Sequence, residues 1–414
     1  MAADTDLTFD VLESYLNCRY KAHLRLSGFQ STKTDYEAML IEARQHLRFM
    51  AIEKLIGEFG ENAISTGIVV TRFELSKGFP FILDAQLQDG HFHIHFDGLK
   101  KVDGPSGLGD FHYLPVLFYE SRHIRKTQRL LLEVLALLLS RVQGKAPESG
   151  IIYHGSNCAT TAVRFKPGLQ IAASLLDEVA RMQGAKAPPK LLLNDHCQIC
   201  EFRRECHAQA VKEDNLSLLR GLGEKGVKRY ARKGIFTLTQ VAHTFRPRRK
   251  GKRSNTRSNH RYHALHAMAI RDKRVYVFGT PKVPSGPVQI YLDVEGVPEE
   301  GFVYLIGAVV CDGDDESRHS FWANSKDEEC EIFEQFLALA SRYNSPIIFC
   351  YGSYEKVFIS RMRSRVKDTG QIDCMLGTLV NVLSIIYAHF YFPTYTNGLK
   401  DIGGYVGCLA IHQF

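Results

Sequence analysis

Two α/β domains joined through a basic middle segment are what this sequence predicts, and three observations carry that fold class. In the first half, helical periodicity over 7–27 and 35–59 gives way to period-two alternation at 67–75, 80–87 and 91–100. The second half starts a new pattern at 286, where PVQIYLDVEG, FVYLIGAVVC and RHSFWA spell a three-strand meander before helix 327–342, strand 346–351 and helix 354–365. Between them, residues 246–261 (RPRRKGKRSNTRSNHR) hold 8 basic side chains, no acidic one and no apolar period, which reads as a linker. A chain of 414 residues is too long for one ordinary core. The expected division is a domain at 1–212, a helical-hairpin-like module at 213–245, a basic linker at 246–275 and an α/β domain at 276–414.

Taken in order, LTFDVLESYLNCRYKAHLRLS at 7–27 has helical apolar spacing, places Cys18 on a helix and is ended by Gly28. Helix 35–59 carries the stripe Met39, Ala43, Leu47, Met50 and Leu55, with His46 beside it. FHYLPVLFYES at 111–121 follows the turn-rich DGPSGLGD and reads as a strand; helix 124–143 comes next, capped by Gly144. Its core, LLLEVLALLL at 130–139, is interrupted by Glu133 and is too short to span a bilayer, so it predicts a buried helix and no membrane partner. Residues 214–245 read as two short helices with Gly221, Gly223 and Gly234 at their turns, a shape that offers backbone N–H groups to phosphates.

Hydrophobic content of 45% with 23% charged residues is that of a soluble globular protein rather than a disordered or membrane-embedded one. The start, MAADTDLTFD, is acidic and lacks the basic end and apolar run of a signal peptide, so a reducing cytoplasm is expected. There, Cys158, Cys311, Cys330, Cys350, Cys374 and Cys408 are expected to be plain thiols. The net charge of +7 conceals an asymmetry. Arg203 to Arg261 holds 17 Lys/Arg against 4 Asp/Glu, whereas Asp293 to Glu334 holds 13 Asp/Glu against 2 Lys/Arg. A basic middle next to an acidic module fits a polyanion-binding segment beside a metal-binding domain, with Arg246, Arg248, Arg249, Lys250, Lys252 and Arg253 as candidate nucleic-acid contacts.

Two kinds of candidate metal ligand stand out. Cys197, Cys200 and Cys206, in NDHCQICEFRREC, have C-x2-C-x5-C spacing, and Cys18 joins them if the fold brings both ends of one domain together. Thiolates so spaced bind iron–sulfur clusters or zinc. Asp97 and Glu120 lie side by side if their strands pair as a hairpin, which suits a hard cation such as Mg2+ or Mn2+, and His46 from a facing helix completes the set. In QIYLDVEG, alternation puts Ile290, Leu292 and Val294 on one face and Asp293 with Glu295 on the other, a geometry that suits a two-metal phosphodiester site.

This order of residues, a helical histidine, a strand aspartate, a glutamate two residues before a basic side chain and a glutamine-bearing helix, all enclosed by Cys…C-x2-C-x5-C, resembles the RecB-type nucleases of the PD-(D/E)xK superfamily. The iron–sulfur branch is the nearest likeness. The resemblance covers 9–210 and implies a restriction-endonuclease-like domain. It makes Asp97 and Glu120 metal ligands, His46 an additional ligand, Arg122 the counterpart of the catalytic lysine and Gln128 a helix residue near DNA. The four cysteines become ligands of a [4Fe–4S] cluster. The departure is Glu120-Ser121-Arg122 in place of Glu-x-Lys, since arginine does not give up its proton; Lys126 is one turn further on.

The second half resembles an RNase H-like fold of the DEDD exonuclease type, with Asp293, Glu295 and Glu355 matching its first two acidic motifs. After Glu355 only Asp368, Asp373 and Asp401 follow, none in the family's context, so an incomplete acidic set is expected. The whole arrangement is similar to the two-domain putative RecB-like nucleases. The implied function is a metal-dependent DNA nuclease, with a helicase or repair partner unidentified. The alternatives are a catalytically impaired nucleic-acid-binding protein that retains both folds and a zinc-stabilised interaction scaffold.

Overall fold

The computed structural model describes residues 6–165, 169–183, 185, 187–246, 263–297, 301–366 and 369–407. It forms two compact units, Met1–Gln209 and Ala210–Phe414.

The first unit begins with β1 (Leu7–Thr8), α1 (Phe9–Asn17), α2 (Arg19–Leu26) and α3 (Asp35–Phe59). The single helix expected over 7–27 is broken at Cys18, whose extended backbone (φ −162°, ψ 117°) ends α1 and starts α2 and sets the thiol at a corner. Apolar periodicity runs through the corner unchanged, so the sequence hides it. Helix α3 has the expected bounds because Thr34 Oγ1 accepts the Glu37 N–H at 3.2 Å and Gly60 closes the other end at φ +83°. Its buried stripe is Leu47, Ala51 and Leu55; Met39 and Ala43, expected on it, are exposed.

Next come β2 (Ile64–Thr66), α4 (Arg72–Ser76), β3 (Phe81–Asp89), β4 (Phe92–Ser106) and β5 (Gly109–Tyr119). The strand expected at 67–75 is a bridge from Val69 to Gln86 followed by α4, because the Thr71 hydroxyl caps a helical turn by accepting the Glu74 N–H at 3.2 Å. The turn-rich DGPSGLGD is mostly strand, since β4 and β5 extend to Ser106 and from Gly109 as one long hairpin. Then follow α5 (Lys126–Gln143), β6 (Ser149–His154), β7 (Ala159–Arg164), α6 (Gln170–Gln183) and α7 (Arg203–Lys212), within which the division between units falls.

The strand order is β2-β3-β4-β5-β6-β7, with β1 alongside β4. Helix α5 is the crossover between the parallel strands β5 and β6. One sheet face buries Ile82, Phe96, Tyr113, Leu117 and Ile152 against Leu131, Leu135 and Leu138 of α5. The other buries Phe81, Leu83, Val116 and Phe118 against the α3 stripe. The result is a three-layer α/β/α unit.

The second unit contains α8 (Glu224–Ala231), α9 (Leu238–Ala242), α10 (His263–Asp272), β8 (Tyr276–Val277), β9 (Val288–Val297), β10 (Phe302–Asp312) and β11 (Asp315–Trp322). It continues with α11 (Glu329–Ala340), β12 (Ile347–Cys350), α12 (Tyr354–Met362), α13 (Thr369–Thr378), β13 (Leu379–Asn381), α14 (Val382–His389), β14 (Phe390–Tyr391) and α15 (Leu399–Val406). The main sheet runs β11-β10-β9-β12-β13, antiparallel across the meander and parallel from β9 to β13. Ile290, Leu292 and Val294 pack with Phe333, Phe336, Phe358 and Ile359. Within the expected linker 246–275, residues 263–272 are helical instead, held by Leu265 and Ala269 against Tyr391. Residues 247–262 lie outside the described ones. No helix among the described residues is long and apolar enough to cross a membrane.

Gly150 shows how tightly the first unit is packed. A Cβ there meets Leu132 Cδ2 and Cγ at 2.7 Å and Pro115 O at 2.9 Å. Gly150→Ala is expected to cost about 1–3 kcal/mol, read as a lower urea midpoint at unchanged slope. An unchanged midpoint would mean that Leu132 moves aside freely.

Candidate active sites and cysteine cluster

In the second unit the site grows out of one strand pair. β9 alternates as its sequence dictates, so Asp293 and Glu295 are exposed on the face opposite the core. Gly307 is the register partner of Asp293, and a Cβ on it would meet nothing nearer than Asp293 O at 3.8 Å, which leaves open space beside this carboxylate. β12 pairs parallel to β9, with Phe349 opposite Tyr291 and their rings stacked at 5.4 Å. The chain leaves β12 through Gly352 (φ +140°) and enters α12 at Tyr354, which puts Glu355 on its first turn at the C-terminal strand ends. Open α/β sheets bind ligands at such ends.

Glu355 is only 5% exposed, and its Oε2 has no hydrogen-bond partner. Burial raises its pKa, the backbone N–H at its own position opposes this, and the charges of Asp293 and Glu295 raise it further. The carboxyl of Glu295 is also raised, by burial and then by Asp293, against the opposing charge of Lys400. The charge of Lys400 on α15 thus acts on Glu295, which no sequence motif announced.

In the first unit, Asp97 sits on β4 just before the paired segment, and its Oδ2 accepts the Phe118 N–H of β5 at 2.9 Å. Burial raises its pKa, opposed by this N–H and by Arg44. The Glu120 side chain, 7% exposed, is bound by Arg44 Nε at 2.8 Å. Arg44 also reaches Glu13 at 3.3 Å, lies over the Tyr119 ring at 4.3 Å and has its own pKa raised, chiefly by Glu13 and Glu120 against the opposing effect of burial. One turn on, Arg48 binds Asp84 at 2.5 Å, and His95 contacts the same carboxylate at 3.1 Å. What α3 turns toward these acids is therefore Arg44 and Arg48, while His46 is exposed. Two arginines at i and i+4, in register with Leu47 and Ala51, were the available signal.

Arg122 is exposed, and its carbonyl accepts from His154 Nδ1 at 3.0 Å. Gln128 is buried, and its Oε1 accepts the Arg125 N–H at 2.6 Å, so it closes the start of its own helix. Arg246 is exposed; Arg248, Arg249, Lys250, Lys252 and Arg253 lie outside the described residues.

The ends of the first unit do meet. Asn194 Nδ2 donates to Asn17 O at 2.9 Å, and Ser31 Oγ donates to Glu201 O at 3.0 Å. Arg25 pairs with Glu201 at 2.9 Å, and Lys21, buried, with Glu201 at 3.6 Å and Glu37 at 3.3 Å. These ties bring Cys18 within electrostatic reach of Cys197, Cys200 and Cys206. Burial pushes all three thiols up, Cys206 to about 12, and the neighbouring cysteines add to it. Among the described residues, no three His, Cys, Asp or Glu side chains stand close enough together to hold a metal ion. By donor type alone, thiols suit a soft-metal centre and carboxylates a hard cation, but among the described residues neither set is gathered closely enough to hold one.

Residues 290–408 match the family model described as the RNase H superfamily, a stretch that begins on β9 and includes Asp293, Glu295, Glu355 and Lys400. This part of the chain is RNase H-like. No curated protein matches the chain.

Because the folded pKa of Glu355 lies above its unfolded value, the stability linked to it is complete below the ordinary carboxylate pKa and is lost as pH rises through the folded one. Glu355→Gln is therefore expected to stabilise the chain at pH 8 in EDTA by on the order of 1 kcal/mol. That advantage should shrink toward zero below a pH of about 4. Thermal unfolding of both proteins across this range checks it, and an advantage independent of pH would rule out the carboxylate charge as its source.

Proposed function

We propose that this chain is a divalent-metal-dependent nuclease that hydrolyses phosphodiester bonds of DNA, with Asp293, Glu295 and Glu355 as its metal-holding acids and a RecB-like first unit. The observation that carries this reading is the buried, unpartnered Oε2 of Glu355, whose carboxyl feels the charges of Asp293 and Glu295, within the stretch matched to the RNase H superfamily. An acidic cluster that costs stability is expected where a cation is meant to enter. A bound Mg2+ or Mn2+ supplies activated water and takes up charge on the reacting phosphate. Asp293, Glu295 and Glu355 would hold that ion, and the open position at Gly307 would leave room for a substrate beside Asp293.

For the first unit, the Arg44–Glu120 pair favours a second role, holding nucleic acid without cutting it. A guanidinium already meets the charge that a cation would meet, and Arg122 does not serve as a proton acceptor. Its four cysteines are proposed to hold a [4Fe–4S] cluster, with zinc as the alternative; either would lock α1 and α2 to the 194–206 segment. The exposed Arg246 and the basic residues after it would add sequence-independent affinity that falls steeply with salt.

Cleavage of labelled DNA with Mn2+ tests the assignment. Asp293→Asn is expected to lose about 100-fold or more, while Glu120→Gln keeps parental activity. The reverse outcome would move the chemistry to the first unit, and an inactive parent would favour a binding protein. The cluster is tested separately: anaerobically purified protein is expected to be brown, with absorbance near ~400 nm, and to lose colour in Cys197→Ser. A colourless, zinc-containing protein would overturn the iron assignment.

A further inference from the structure

We propose that Trp322 positions a nucleic-acid strand on the open face of the second unit's sheet by stacking on one of its bases, with Tyr291 taking a second base across a lane over Gly307. The inference rests on the nucleic-acid part of the reading given above and needs no metal ion.

Its basis is strand register. Leu305 is the partner of both Glu295 and Trp322, Gly307 of Asp293 and Ser320, and Val309 of Tyr291 and Arg318. Directly opposed residues point to one face of a sheet. Trp322, Gly307 and Tyr291 therefore share the face of Asp293 and Glu295, opposite the core. They stand on β11, β10 and β9, each two residues out of step with the next, which makes a diagonal across three strands. With strands about 4.8 Å apart and a rise of about 3.4 Å per residue, its ends lie about 17 Å apart. At its midpoint Gly307 has no side chain, and a Cβ there would meet nothing nearer than Asp293 O at 3.8 Å.

Both end rings are open to solvent on one side and backed by a ring on the other. Trp322 is 55% exposed and stacks on Tyr304 at 6.3 Å and 24°. Tyr304 is the extra residue at the register shift between Val303 and Leu305, and such bulges re-aim side chains. Tyr291 is 47% exposed and stacks on Phe349 at 5.4 Å and 21°. A ring already held by a near-parallel neighbour loses little freedom when a base covers it, and every base has a face to offer. A second copy of the chain fits less well. β11 stands at one end of the sheet order, and its exposed Asp315, Glu316 and Arg318 oppose strand addition. Stacking engages the neutral base, so the acids of β9 do not oppose it as they oppose phosphate.

Trp322 is the single tryptophan of the chain, so its fluorescence reports on this position alone. In EDTA, a single-stranded oligothymidylate is expected to quench the emission of the full chain, whereas an abasic oligomer of equal length, with the same phosphates, leaves it unchanged. By anisotropy of labelled oligothymidylate, Trp322→Leu and Tyr291→Leu should each bind about 5-fold or more weakly, while Trp322→Phe stays within about 2-fold. Binding without quenching, or equal quenching by the abasic oligomer, would overturn the inference, as would parental affinity in Trp322→Leu. Self-association of the parent that is lost in Trp322→Leu would also overturn it, by giving this face to a second copy. Quenching by oligothymidylate in a chain that cuts no DNA supports the inference and overturns the nuclease reading. Cutting that is lost in Asp293→Asn, with no quenching in the parent, overturns the inference alone, and a chain that retains no oligomer overturns both.

Discussion

The parallel pairing of β9 with β12 is the constraint on which the second unit's site depends. With Phe349 set opposite Tyr291, β12 ends one residue later while β9 runs on to Val297, and the turn at Gly352 leads to Glu355, where the charges of Asp293 and Glu295 act on it. A slip of one residue in β9 would send both acids into the core and Leu292 and Val294 out. The register is therefore enforced by apolar burial, although what it positions is polar. The residue after β12 also ties down the start of α15, through the bond from the Tyr351 hydroxyl to Asn397 O.

The two units place similar chemistry in opposite electrostatic conditions. Around Glu120, Asp84 and Glu13 the first unit supplies Arg44, Arg48, His95 and the Tyr119 hydroxyl, so each carboxylate there has a partner. Around Glu355 the second unit supplies no partner for Oε2, and only a lysine that acts on Glu295. A partnered buried carboxylate contributes to stability, whereas an unpartnered one costs stability and persists where it meets a ligand. This difference, more than the residue types, sets the two groups of acids apart and is why the proposed chemistry is placed in the second unit.

What was legible in the sequence follows from which forces act locally. Alternation over 288–297 revealed the strand, its faces and the two outward acids, because burial on one face imposes a period of two. Helix α3 was legible to its ends because Thr34 and Gly60 are capping residues. The break at Cys18 was not, since the apolar spacing of α1 and α2 continues through it. Arg44 and His46 are two residues apart on one helix, and periodicity alone did not say which of them would face Glu120; packing of Leu47 and Ala51 against the sheet decided for the arginine. Lys400 was not legible, because a cation whose charge acts on an acid has no spacing signature. Helix 263–272 was absorbed into a basic linker because its support, Tyr391, lies more than a hundred residues away.

The charge pattern bears on how a polyanion would reach the proposed site. Asp293 to Glu334 carries 13 acidic side chains against 2 basic ones, so this stretch repels phosphate over about a Debye length. Affinity must come from elsewhere in the chain, and the basic run around 246–261 has the charge to supply it. On the proposed reading, attraction at the acids themselves would appear only once a divalent cation had reversed the local sign. Monovalent salt and divalent metal would then act on different steps: salt would weaken capture by the basic residues, while the metal would admit the captured strand to the acids. An acidic site fed by a basic segment would on that reading discriminate twice, with the unpartnered oxygen of Glu355 as the group through which the second step is felt.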